Sequence, residues 1–141
     1  SVSTYELVKN MRTAITPFGS IKAFRAYTDF AQLSPRETNV RAELSASGIT
    51  LVDCPSEGRK DVHAKIMLPF ERNTNAFKLQ ADILIHAWDH APPHTFVVIT
   101  ADRDLAYPIS LLRTRNYKVV LICPSTVHTS LVAQASAELD W

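Results

Sequence analysis

Glycine is scarce in this 141-residue chain, with only three present. Phosphate-cradling loops depend on glycine, because only a residue without a Cβ lets the backbone close onto a phosphate. Neither GxGxxG nor GxxxxGK(S/T) occurs, which argues against dinucleotide and P-loop nucleotide binding. Cysteine is scarcer still. Cys54 and Cys123 both lie in apolar runs and read as buried reduced thiols rather than a disulfide. No apolar run approaches the roughly 20 residues that cross a bilayer, and Ser1 opens no signal-peptide pattern. An excess of positive charge is also missing, since the net charge is +1 with neutral histidines. The whole-chain footprint of a nucleic-acid binder is therefore absent, although a basic patch around an acidic metal site could still hold RNA. The expected location is cytoplasmic, with nucleus and peroxisome as alternatives and no membrane partner.

What is present is ordinary globular material, 46% hydrophobic and 21% charged, enough for one domain with a real core over residues 1–141. No internal repeat appears. Tyr5, Leu7, Val8, Met11 and Ile15 fall near helical spacing, with Thr4 as the expected N-cap. Residues 20–28 alternate as a strand. Ser34-Pro35 with Glu37 opens a second helix that Gly48 stops, and residues 49–54 form a second strand. Residues 61–68 and 76–90 carry helical patterns, and Pro92-Pro93 ends the latter. Residues 95–100 (TFVVIT) and 118–123 (KVVLIC) are unbroken apolar strands, the mark of burial on both faces. A helix over 104–115 separates them, and residues 130–139 read as a closing helix. Such alternation implies a three-layer α-β-α sandwich around a mainly parallel sheet, Rossmann-like in character. In that architecture ligands sit at the carboxyl ends of strands, which points to Thr28-Asp29, Asp53 and Asp102-Arg103-Asp104.

Asp102 and Asp104 follow the 95–100 strand within four residues. A single aspartate there is most simply a helix cap. Two raise the case for a cation site, because crowded carboxylates need a metal, a proton or a cationic partner such as Arg103. Asp61 is a second candidate, with capping as its plain alternative. Asp82 lies mid-helix between Leu79 and Ile83, where capping explains nothing and a buried charge needs a metal or a salt bridge to Lys78 or Arg103.

Several ordered segments then agree with one family. Gly58-Arg59-Lys60-Asp61-Val62, the helix around Asp82-Ile83-Leu84, the run Phe96 through Ala106, and Leu112 through Leu121 resemble the limkain-type NYN domain. Phe24-Arg25-Ala26-Tyr27 and the ending Leu139-Asp140-Trp141 fit as well, so the resemblance covers nearly the whole chain. It implies a PIN-like fold that binds Mg²⁺ or Mn²⁺ at a carboxylate edge and hydrolyses RNA, in RNA turnover or regulation of gene expression. By position it implies Asp102, Asp82 and Asp61 as metal ligands and catalytic residues. Asp104 joins them as a supporting residue or cap. Arg103, Arg59 and Lys60 would meet the backbone of single-stranded RNA, and further RNA-binding domains commonly accompany the family.

Three departures qualify this. The family begins with a central strand carrying a D-x-E-N type motif, and this chain starts in its first helix without it. Where the family shows another aspartate after Lys-Asp-Val, Ala64 or His63 stands here. Residues 69–81 look like an insertion that splits one helix. The expectation is therefore weak turnover or none, because charge count sets divalent-ion affinity. The alternative is a non-catalytic RNA-binding or protein-interaction module, with self-association through unpaired strand edges as a further expectation.

His86, His90 and His94 are spaced by four, which admits a zinc site. Pro92-Pro93 breaks the helix before His94 and no HExxH is present, so ordinary boundary histidines are the expected reading.

Overall fold

A computed structural model of the chain describes residues 3–55 and 74–140. The expected helix over 61–68, with Asp61, Arg59 and Lys60 nearby, lies outside them, as does the 69–73 part of the expected insertion. Two compact units divide the chain, Ser1–Lys78 and Leu79–Trp141. Both are α/β, with parallel strands joined by helices.

In the first unit α1 spans Thr4–Ile15, and Ser3 rather than Thr4 caps it, its hydroxyl accepting the Glu6 N–H at 3.2 Å. Val8 and Ile15, two turns apart, supply the buried face, while Tyr5 and Leu7 stay exposed. The expected strand over 20–28 shortens to β1, Arg25–Thr28. Its length is set by its partner. β2 (Thr50–Asp53) pairs with it in parallel from Arg25↔Thr50 to Thr28↔Asp53, and the residues before Phe24 have no strand opposite them among the described residues. Phe24 packs instead beneath the Arg12 guanidinium, 5.6 Å from the ring centroid.

The second expected helix begins as a tighter turn. Pro35–Glu37 is a 3₁₀ turn, and α2 proper is Thr38–Ala46. Glu37 reaches back to accept the Ser34 N–H at 2.9 Å and the Ser34 hydroxyl at 2.7 Å. Gly48 ends α2 as expected. Its φ of 80° lies in the left-handed region, and Gly48 N→Ser45 O and Ile49 N→Leu44 O close a Schellman turn.

Helix α3 runs Thr74–Asp89, so residues 74–81 of the expected insertion are helical. In the second unit β3 (Thr95–Ile99), β4 (Lys118–Cys123) and β5 (Ala137–Asp140) form a parallel sheet in the order β3-β4-β5. Helix α4 (Ala106–Thr114) joins the first pair and the short helix α5 (Thr129–Val132) leads to the last. Asn116, at φ 69°, ends α4 with the same Schellman pattern, through Asn116 N→Arg113 O and Tyr117 N→Leu112 O.

Two expectations are corrected here. The closing helix over 130–139 is a single helical turn followed by a strand, because residues 137–140 alternate in exposure and add to the free side of β4. β3 is mostly half-buried, whereas β4 is buried from Val119 to Cys123. The middle position in the strand order explains the difference. Val98, Leu105, Ile109, Leu112, Leu121 and Leu131 complete this core, each such side chain contributing about 1.5–3 kcal/mol on burial.

Candidate active site

Beyond the last residue of β3 the chain makes a turn stitched by its own side chains. Thr100 N–H donates to the Ile122 carbonyl at 3.1 Å, the final rung of the ladder. The Thr100 hydroxyl accepts the Asp102 N–H at 3.0 Å, and Asp102 Oδ1 accepts the Asp104 N–H at 2.9 Å. These are local bonds that Thr and Asp favour over strand continuation. They open the 3₁₀ turn Arg103–Leu105 that feeds α4. The capping role thus belongs to Asp102. Asp104 and Arg103 are exposed inside the turn, and Asp102 is half-buried. Leu105, just beyond, is 1% exposed and anchors the turn to the core.

Asp82 sits half-buried in α3, next to buried Ile83. Two residues before it, Gln80 Nε2 donates to the Asp104 carbonyl at 3.5 Å. This stretch of α3 therefore runs alongside the Asp102–Asp104 turn. Of the other expected site residues, Asp61, Arg59 and Lys60 lie outside the described residues. Among the described residues no three His, Cys, Asp or Glu side chains converge to hold a metal ion.

The carboxyl edge of this sheet also carries acids missed in the sequence. Glu138 and Asp140 lie on β5, where Asp140 is in register with Cys123 and Glu138 with Leu121. Their signal was the alternation Ala137-Glu138-Leu139-Asp140, a period of two overlooked in favour of helix formers. Cys123 Sγ lies 3.9 Å from Glu138 Oε1. Burial pushes the Cys123 thiol above its ordinary range, and the Glu138 and Asp140 charges raise it further.

In the first unit the two strand ends are likewise acidic. Asp29 follows β1 and its Oδ1 accepts the Ala31 N–H at 3.1 Å. Asp53 ends β2, and its Oδ1 accepts the Phe30 N–H at 3.3 Å. Lys78 Nζ donates to the Asp53 carbonyl at 2.7 Å. These aspartates serve the turn backbone, as N-capping side chains do.

Among the described residues no helix is long and apolar enough to cross a membrane. A family model described as the NYN domain matches residues 3–140. No curated protein matches the chain.

Proposed function

Because the chain belongs to the NYN domain family, a ribonuclease-like family of PIN-like α/β fold, we propose that it is a divalent-metal-dependent RNA-cleaving domain whose reduced carboxylate set makes turnover weak. Within that reading it is of limkain type and acts in RNA turnover or regulation of gene expression. The supporting observation is the position of Asp102 and Asp104 immediately past the carboxyl end of β3, where open parallel sheets take their ligands.

The donors are carboxylate oxygens, which suit the hard ions Mg²⁺ and Mn²⁺. By the resemblance to the family, Asp102, Asp82 and Asp61 are the carboxylates that would hold the ion. Bound there, the ion would supply Lewis-acid activation of water and neutralise charge on the phosphate. The chain's own contribution is positional. The Thr100 and Asp102 bonds fix the turn before any ligand arrives, which places the Asp102 carboxylate without reorganisation. Arg103, Arg59 and Lys60 would meet the phosphates of a single-stranded RNA and orient it.

Incubation of the chain with single-stranded RNA and Mn²⁺ tests this. Cleavage that EDTA and Asp102→Asn both abolish supports the reading, and RNA left intact with Mn²⁺ overturns it. A second reading is a binding module without turnover. It is favoured by the use of an Asp102 oxygen as a backbone cap. RNA retention that survives both EDTA and Asp102→Asn, with no product, selects it. Association of copies through a sheet edge is a separate reading, and β1, β2, β3 and β5 each pair on one side only among the described strands.

A further inference from the structure

Three imidazoles gather where α3 gives way to β3. Pro92-Pro93 ends the helix, yet the chain turns back so that His94 meets the last helical turn. His86 Nε2 and His94 Nε2 stand 3.0 Å apart. His90 stacks on His86, with centroids 4.0 Å apart and planes 13° from parallel. Phe96 meets the His86 and His94 rings edge to face.

The surroundings fix these rings. His90 Nδ1 lies 2.9 Å from the His86 carbonyl. A carbonyl only accepts, so this nitrogen carries the proton and the tautomer of His90 is set. The buried Tyr117 hydroxyl lies 2.7 Å from the Ala87 carbonyl and 2.8 Å from that of His90, which ties down the end of α3. The carbonyls of that end carry the negative pole of the helix dipole, a setting that favours a cation.

Two facing imidazole nitrogens can share one proton, or a metal can satisfy both lone pairs. Tetrahedral Zn²⁺, at Zn–N of about 2.0–2.1 Å, sets its ligand nitrogens about 3.3 Å apart. The observed 3.0 Å needs only slight opening of the pair. We propose that His86 and His94 form a two-imidazole clamp for Zn²⁺, with water completing the coordination. His90 is a positioning residue that holds the His86 ring by stacking. No third His, Cys, Asp or Glu converges with the pair among the described residues. Imidazole donors select Zn²⁺ over Mg²⁺ and Mn²⁺. The clamp also lies apart from the carboxylates. His94 precedes β3 and Asp102 follows it, and at about 3.3 Å per residue the six steps from His94 to Thr100 span roughly 20 Å.

Zn²⁺ titrated calorimetrically into the untagged, chelator-dialysed full chain tests the clamp. His94→Gln should weaken one Zn²⁺-binding event by at least about tenfold, and to the same extent in the unaltered and the Asp102→Asn background. Long-range ¹H–¹⁵N spectra of the unaltered chain give a readout independent of any folding defect, and both the His86 and His94 Nε2 resonances should move with Zn²⁺. Unmoved resonances, a shift confined to His128, or full affinity in both His86→Gln and His94→Gln would overturn the proposal.

Discussion

The Asp102 carboxylate accepts the backbone N–H of Asp104 at 2.9 Å, so the aspartate offered as the leading metal ligand is also the cap of the turn that carries it. Capping and chemistry separate by substitution. Asp102→Ala should lose about 1 kcal/mol of stability, read as a lower Tm, whereas Asp102→Asn keeps an oxygen to cap and should melt near the parent. In the nuclease reading the Asn variant should still lose Mn²⁺-dependent cleavage by more than the roughly 10–100-fold typical of residues that merely support a ligand. Equal melting with undiminished cleavage would remove Asp102 from the site.

Tyr117 should prove the costliest single hydroxyl in the second unit. It is buried and lies within hydrogen-bonding distance of the Ala87 and His90 carbonyls. Tyr117→Phe removes the one O–H that these two carbonyls share and should cost about 1–3 kcal/mol in urea unfolding. A change within 0.5 kcal/mol, roughly the level of an ordinary surface substitution, would show that the end of α3 is held by other means.

The Ser34–Glu37 pair should make stability respond to acid. The Ser34 hydroxyl, and then its backbone N–H, hold the Glu37 carboxyl below its ordinary value. A carboxylate lowered on folding stabilises above its unfolded pKa of about 4.3, and that contribution disappears as pH falls through the lower folded value. In Ser34→Ala the Glu37 midpoint, followed by NMR titration, should rise toward the ordinary range. An unmoved midpoint would assign the shift to another group.

Both thiols should be silent in the native state. Cys54 and Cys123 are at most 1% exposed, and the Cys123 thiol is raised by burial and by the Glu138 and Asp140 charges, which disfavours the reactive thiolate. Native protein should show negligible reaction with a thiol reagent, and both groups should react once urea unfolds it. Prompt labelling under native conditions would show that this part of the core opens readily.

Much of the fold was legible because strong patterns had one solution. The KVVLIC run is β4, and the Gly48 stop falls where α2 needs a left-handed residue. The failures have physical causes. Ala137, Glu138 and Leu139 are good helix formers, but the open side of β4 recruits them as a strand, so tertiary pairing overrode local preference. The 20–28 alternation overran because strand length depends on a partner remote in sequence. Pro92-Pro93 was read as separating His94 from the helix, whereas the turn it makes returns His94 to His86. The turn after β3 was legible as a turn, with Asp102 and Asp104 just past the strand. That Asp102 rather than Asp104 would cap it depended on side-chain directions no spacing encodes.

The tail strand β5 bears on solubility as well as on topology. It is the outer strand beside β4 among the described residues, and its exposed positions are Glu138 and Asp140. An open strand margin invites pairing with a neighbouring molecule, and charged side chains are a common means of discouraging it. Two copies approaching through β5 would bring four carboxylates into one seam. This margin is therefore self-repelling, and exchanging both acids for neutral residues is the change that would let copies adhere along it.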